Sequence, residues 1–568
     1  VRTYIANGFK VGPNYCRPAA PVADDWIDAD DLRIRHDSPD TSQWWRVFGD
    51  PVLDSLVNAA YQQNLTLREA GFRVLQARAA YAITVGQFFP QSQEMFGGYS
   101  RNVASKANAN SGFLQDQFFD RWDTGFGLAW ELDFWGRFRR AIEAADADLD
   151  AQVENYDDVL VTLIADIAST YVDLRVLEQE IALVKGNIAL QQQTLTITTA
   201  RFRGGQTSEL DVDQAQSNLS QTQALLPQFE IRHRVANNRL CILLGMPAAE
   251  LATLIGPGGI PVAPVEVAVG IPAELLSRRP DIRRAERTVA AQSARVGVAT
   301  TELYPHISIV GTIGWQSKDL DGLLSPAALQ GNTGPGFRWN ILNYGRLVNN
   351  IRLQDARLQE LIVNYQNTVL NAGAEVENGL VTFLESQRRV RYMDQSVVAA
   401  QQAVRISLAQ YRGGVVDFNR VALLEQNLVQ QQDLQAQARG AVADGLIQVY
   451  RALGGGWQLR LAPPQAPNLP PVDAAPGWMP DADAIELIPP TEGAPIAPEV
   501  IAPPAELPAA RLMPLPAQRG APIQPAAGYT LAPSTHFGPP TPGMLSRRTH
   551  SAPPPRLLPA PTARPLAQ

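Results

Sequence analysis

The amino-acid sequence predicts a mainly α-helical fold with a small β part, built from an internal tandem repeat. Three observations carry that prediction. The first is a duplication: Trp130, Gly136, Arg137, Asn155, Tyr156, Gly204, Gly205 and Gly245 recur as Trp339, Gly345, Arg346, Asn364, Tyr365, Gly413, Gly414 and Gly454, at a constant offset of 209 residues. An ungapped register of that length requires regular structure, because loops drift by insertion and deletion. The second is a long stretch in each half where charged and Gln-rich residues such as Gln191, Gln192, Gln193, Gln401 and Gln402 interleave with apolar ones at heptad-like spacing, which reads as helix packed on helix. The third is a segment of period-two alternation ahead of each long stretch, which reads as strand.

Composition narrows the classes of function. A net charge of −8 with a pI near 5.4 gives no basic footprint and argues against nucleic acid as a partner. Cys16 and Cys241 lie far apart in unlike contexts, indicating neither a disulfide framework nor a metal site. No apolar stretch reaches the roughly 18 residues that a membrane-crossing helix needs, so contact with a bilayer has to be made by strands or through a lipid. No P-loop, dinucleotide fingerprint, zinc-binding His pair or nucleophile elbow occurs, and His36, His233, His306, His536 and His550 are scattered; no catalytic residue, metal or cofactor is expected.

Residues 1–50 read as an extended arm, in which Pro13, Pro18 and Pro21 interrupt any helix and Trp26, Trp44 and Trp45 supply apolar anchors. A charged stretch followed by an apolar one, the mark of an export signal, does not occur there; the start lies upstream of Val1, or targeting differs. From Pro51, Leu53, Leu56, Val57 and Ala60 share one helical face, and a second helical run from Leu65 to Phe89 stops at Pro90.

A hairpin is expected over about residues 90–135. In its second half Phe126, Leu128, Trp130, Leu132 and Phe134 point one way, and Gly125, Gly127, Ala129, Glu131 and Asp133 the other. Large apolar residues on one face with small or polar ones on the other suit a lipid-facing barrel strand, and also a half-buried strand of a soluble sheet. Pro305 answers Pro90, and the second hairpin, about 305–343, alternates Ile307, Ile309, Gly311, Ile313 and Trp315 with Ser308, Val310, Thr312, Gly314 and Gln316. Phe337, Trp339 and Ile341 then fall in register with Leu128, Trp130 and Leu132. Four strands cannot close a transmembrane barrel, since the smallest use about eight. Open edges cannot sit in lipid, so several chains must pool strands, and three would give about twelve.

The helix from Gly136 to Arg203 would span roughly 100 Å at ~1.5 Å per residue. It turns at Arg203-Gly204-Gly205 and returns to Leu244-Gly245; the second half does the same at Arg412-Gly413-Gly414. The expected organisation is a first repeat over 51–245 with its tip near 203–208, an irregular linker over 246–271, and a second repeat over 272–457 with a helix from Pro280 to Thr301 and a tip near 412–417. Residues 458–568 are rich in Pro and Ala without apolar periodicity and read as a disordered tail.

Five segments in order carry a family resemblance: Val11-Gly-Pro-Asn-Tyr15 with Arg17-Pro18, WRVFGDPVLDSL over Trp45 to Leu56, Glu131-Leu-Asp-Phe-Trp-Gly-Arg137, Arg278-Arg-Pro-Asp-Ile-Arg283, and Tyr450-Arg-Ala-Leu-Gly-Gly-Gly-Trp457. Together with the duplication they resemble the TolC/OprM-type outer-membrane efflux proteins, in the NodT-like branch of lipoproteins. The resemblance implies a homotrimer: a twelve-stranded β-barrel with four strands per chain in the Gram-negative outer membrane, continued by a long α-helical barrel through the periplasm. Such a duct is a passive exit for drugs, metals or other small solutes, fed by an inner-membrane RND pump through a periplasmic adaptor. A duct for type I protein secretion is the alternative within the class. A soluble coiled-coil scaffold is the alternative outside it, and would explain the helices but not the hairpins.

Relatives of this branch carry a lipidated Cys two residues before the Val-Gly-Pro motif. Here that position is Phe9, and Cys16 after Pro13-Asn14-Tyr15 does not replace it, so no convincing lipid-attachment residue is found. Relatives also place acidic residues nine and twelve positions after the aromatic residue of the second turn, where they constrict the pore. Counted from Tyr411 these positions hold Arg420 and Leu423; counted from Phe202 they hold Asp211 and Gln214. The implied gate lies around Tyr411 and Arg412, with Arg420 against Asp211 or Asp417, and is less cation-selective than a carboxylate ring; ordinary solvated helix-end charges are the alternative. Gly204, Gly205, Gln206, Thr207 and Ser208 with Gly413, Gly414, Val415 and Val416 are the implied adaptor-docking tips.

Overall fold

Helix α1 (Pro51–Gln63) begins where Pro51 presets the backbone and the Asp50 carboxylate accepts hydrogen bonds from the N–H groups of Val52 and Leu53 at 2.9 and 3.3 Å. Helix α2 (Leu65–Gly86) follows at once, capped by Asn64, which accepts from the Leu67 N–H at 2.8 Å and donates to the Leu243 carbonyl at 2.9 Å. These elements belong to a computed structural model that describes residues 4–461 apart from 6, 38, 39, 106 and 108–116. The chain divides into two units, Val1–Pro489 and Pro490–Gln568, and every described residue lies in the first. The tail expected over 458–568 lies outside the described residues from 462 onward.

Strands β1 (Ser92–Val103), β2 (Phe118–Leu132), β3 (His306–Ser317) and β4 (Leu329–Arg338) form one antiparallel sheet in that order, which leaves β1 and β4 as its edges. The register sets Met95 opposite Phe126, Phe126 opposite Ile313 and Trp130 opposite Ile309, so the large apolar side chains of both hairpins share one face. Gly127 and Glu131 share the other face with Glu94, Thr312 and Ser308. Met95, Phe126 and Ile313 are 72, 54 and 58% exposed, so the chain itself does not cover the apolar face. Phe134, Trp339 and Ile341, expected in strands, lie beyond them. The last strand stops at Arg338 because its partner β3 begins at His306; the Trp339 indole donates instead to the Leu303 carbonyl at 3.0 Å.

The long helices are α3 (Arg137–Arg203) and α4 (Glu209–Leu243) in the first half, and α6 (Arg346–Arg412) and α7 (Phe418–Ala452) in the second, with α5 (Pro280–Thr301) before β3. The first of each pair has 67 residues and the second 35. At ~1.5 Å per residue the longer helices run about 100 Å. Asp133 explains part of the Glu131–Arg137 motif: its buried carboxylate accepts from the N–H groups of Phe138 and Arg139 at 2.9 and 3.2 Å and from the Arg139 side chain at 2.7 Å, which closes the open first turn of α3.

The main apolar core gathers around Trp44, Trp45, Leu53, Leu56, Ile164, Tyr171 and Leu446. Three of the motif segments meet there. Trp44 stacks on Tyr450 at 5.5 Å, and the buried Arg279 donates to the Ala452 carbonyl at 2.8 Å while pairing with Asp281 at 2.7 Å and Glu375 at 2.8 Å. The Arg283 guanidinium lies over the Trp457 ring at 4.4 Å. The N-terminal arm is tied to the linker by a parallel pairing of Ile34–Arg35 with Val267–Ala268 and by the Trp26 indole donating to the Gly270 carbonyl at 2.9 Å. Asp133→Ala removes a cap and a buried ion-pair partner. It is expected to cost at least about 1 kcal/mol and to lower the thermal midpoint, and Asp133→Asn, which keeps one acceptor oxygen, should recover part of the loss.

Candidate functional site

The tips of the two helical hairpins are built alike. After α3 the N–H groups of Gly204, Gly205 and Gln206 donate to the carbonyls of Ala200, Phe202 and Arg201 at 3.1, 2.9 and 2.9 Å. After α6 those of Gly413, Gly414 and Val415 donate to Ala409, Tyr411 and Gln410 at 3.1, 3.0 and 2.9 Å. Gly205 at φ +69° and Gly414 at φ +73° supply the left-handed residue that reverses the chain. Gly204, Gly205, Gln206, Ser208, Gly413, Gly414 and Val415 are exposed, and Thr207 and Val416 are half-buried.

The tips touch through residues that periodicity does not single out. Tyr411 is buried, edge-on to Phe418 at 5.5 Å, and the Arg201 guanidinium of the first hairpin lies over its ring at 4.5 Å. A small apolar core of Ala215, Leu408, Tyr411, Phe418, Val421 and Ala422 closes beneath. Gln214 of α4 donates to Asn419 of α7 at 3.0 Å. Of the expected gate residues, only Tyr411 therefore joins the two hairpins within one chain. Asp417 caps α7 through the Arg420 N–H at 3.3 Å, Asp211 accepts from the Thr207 hydroxyl, and Arg412 and Arg420 are exposed. Among the described residues Arg420 has no ion-pair partner. Arg201 was not among the expected residues, because in the duplicated register its counterpart is Gln410 and no shared motif marks it.

Above the tips the hairpins meet along a polar seam. The Thr194 hydroxyl donates to Glu425 at 2.7 Å, Asn187 to Gln432 at 2.7 Å, and Gln426 to Asn218 and Gln221 at 2.7 and 3.2 Å. Higher up, Glu180 of α3 faces Asp433 of α7. Burial first, and then the facing Asp433 carboxylate, push the Glu180 carboxyl up to about 7. Burial also pushes Glu425 up, against the lowering effect of its bond from Thr194. Among the described residues no group of three His, Cys, Asp or Glu side chains is placed to hold a metal ion, and no helix is long and apolar enough to cross a membrane.

A raised carboxyl favours the fold when protonated. Its stabilisation is complete below the ordinary value of 4.5 and is lost as pH rises through about 7. The wild type should therefore lose thermal stability relative to Glu180→Gln as pH is raised from about 5 to about 7.5, followed by helical circular dichroism; a difference that does not change with pH would contradict the buried pair.

A family model described as outer membrane efflux protein matches residues 56–246 and 271–455. The chain is similar to nodulation protein T of Rhizobium leguminosarum bv. trifolii, 31% identical over 417 residues that cover 72% of this chain and 86% of that protein. It is similar also to the pyoverdine export outer membrane protein OpmQ of Pseudomonas putida, 31% identical over 423 residues, 73% of this chain and 88% of that one. Among solved structures, the outer-membrane channel OprN matches with a TM-score of 0.75 at 31% identity, over 79% of this chain and 99% of its own. A structure of CusC matches with a TM-score of 0.68 at 25% identity, over 78% and 100%. Two capped helical hairpins on a four-stranded sheet, matched by the family model in both halves, identify the chain as an outer-membrane channel of the outer membrane efflux protein family.

Proposed function

We propose that three copies of this chain pool their sheets into a twelve-stranded barrel in the outer membrane and their hairpins into a periplasmic helical tunnel. The assembly is the passive exit duct of a tripartite efflux system of the RND type. One observation carries the reading: among the described residues, the sheet of an outer-membrane protein ends in two unpaired edges, β1 and β4, and presents an uncovered apolar face. Phe337, Trp339, Ile341 and Leu342, exposed at the β4 edge and just beyond it, mark where a neighbouring copy or lipid covers the chain. The two halves, 51–245 and 272–457 about the linker 246–271, are tandem repeats that each give a hairpin of strands and a hairpin of helices. The relatives' names, pyoverdine export and cation efflux, support small solutes as cargo.

The adaptor docks at Gly204 to Ser208 and Gly413 to Val416, which lie at the ends of α3 and α6 remote from the strands. A Cβ built at Gly205 meets nothing within 4 Å, and one at Gly414 meets only Arg201 Nη2, at 3.6 Å. Substitution there strains the left-handed backbone by about 1–2 kcal/mol and otherwise alters the surface that a partner reads. Gly414→Trp is expected to abolish export from cells while leaving detergent-stable trimers intact; loss of the trimers would make the glycine purely structural.

The gate closes between copies, Arg420 of one chain meeting Asp211 or Asp417 of the next, since Arg420 has no ion pair within its own chain among the described residues. Recordings in planar bilayers test both the duct and the gate. The wild type should conduct in discrete steps and Arg420→Ala should open more often; no conductance at all would contradict the duct, and unchanged opening would remove the gate.

A further inference from the structure

Between tips and sheet, α3, α4 and α7 enclose a cleft of 410 Å³. Leu183 and Val184 of α3, Leu225 and Phe229 of α4 and Val429 of α7 make its apolar walls, and Glu180 and Asp433 stand in its lining. The Glu180 side chain has 0% exposure, and neither of its oxygens, nor Asp433 Oδ1, meets a donor at good hydrogen-bond geometry, although the Gln437 amide lies near enough to favour the Glu180 carboxylate weakly. The other Asp433 oxygen accepts from Gln437 at 3.1 Å. The facing cation is Arg232 of α4, with Nη1 at 3.6 Å from Glu180 Oε2 and 56% of its side chain in water. The only cation paired with Glu180 among the described residues is thus a loosely held guanidinium.

Buried carboxylate oxygens without well-placed donors call for a cation that brings N–H groups of its own. A metal ion lacks the set of three ligands it would need. A primary ammonium carries three N–H donors, matching the three orphan acceptors, Glu180 Oε1, Glu180 Oε2 and Asp433 Oδ1. The Phe229 ring, with the Arg232 guanidinium over it at 5.7 Å, already stands beside positive charge, and the cleft volume lies in the range that small organic ligands fill, about 300–1,000 Å³. We propose that this cleft is a binding site for a primary ammonium borne on a compact apolar body, with the ammonium at Glu180 and Asp433 and the body against Leu225, Phe229 and Val429. Because its walls come from both hairpins, an occupant ties the first to the second. All of the residues that line the site belong to one chain.

Titration calorimetry on the full chain in detergent tests it with 1-aminoadamantane and its neutral isostere 1-adamantanol, at pH 8, above the value near 7 to which Glu180 is pushed. The amine should bind at least about tenfold more tightly than the alcohol, and Glu180→Gln should weaken the amine by at least about tenfold. Asp433→Asn provides a second variant should the first fail to fold, with folding read by circular dichroism, and Glu209→Gln at the remote tip should leave affinity unchanged. Absent binding of the amine, equal affinity for the two probes, or undiminished affinity in the folded carboxamide variants would overturn the proposal.

Discussion

Hydrocarbon offers no water to an unpaired peptide group, and each N–H or C=O left open there costs several kcal/mol. The architecture of this chain turns on that constraint. Its sheet leaves Ser92–Val103 and Leu329–Arg338 open on their outer sides, while the apolar face they flank belongs to an outer-membrane protein. In the proposed assembly the missing partners come from other copies. Because α3 starts at Arg137 shortly after β2 ends at Leu132, and α6 at Arg346 shortly after β4 ends at Arg338, closing the strands into a ring also arranges the helices into one.

The helical wall is held differently along its length. Around Trp44, Trp45 and Leu446 an apolar core fastens the arm, α1, α3 and α7 together. Toward the tips that core gives way to pairs such as Thr194–Glu425, Asn187–Gln432 and Gln214–Asn419, with small clusters at Leu177, Val184 and Phe229 within the first hairpin and at Tyr411 and Phe418 near the tips. Polar pairs can exchange with water at modest net cost, whereas an apolar core cannot. Separation of the hairpins is therefore cheapest at the tips, the end where the gate is proposed, and dearest at the core.

Much of this was legible in the chain, for physical reasons. The constant 209-residue offset announces rigid helices, and Gly136, Gly345 and the Gly-Gly pairs after Arg203 and Arg412 mark where α3 and α6 begin and end. Period-two alternation placed the apolar residues of both hairpins on one face, as the register has them. What escaped was set by partners distant in sequence. The length of β4 is dictated by where β3 starts, so Trp339 and Ile341 fall outside it despite perfect register with the first half. The contacts of Arg201 with Tyr411 and of Glu180 with Asp433 join helices more than two hundred positions apart and leave no local pattern. Asp133 stood inside a quoted motif, yet its capping role appears only once Phe138 and Arg139 are seen to donate to it.

Closure by neighbouring copies is tested most directly by covalent trapping at the open edges. Single cysteines at Gln93, Met95 or Gly97 of β1 would be combined in turn with one at Leu329, Gly331 or Thr333 of β4, which lie on the same face of the sheet, in a chain whose exposed Cys16 is replaced by serine. Within one chain β1 and β4 are separated by β2 and β3, at about 4.8 Å per strand spacing, too far for a disulfide. Oxidation of the protein in outer membranes should give covalent dimers and trimers for the pairs that fall in register and nothing larger. Monomers at every pairing would contradict closure of the barrel between copies.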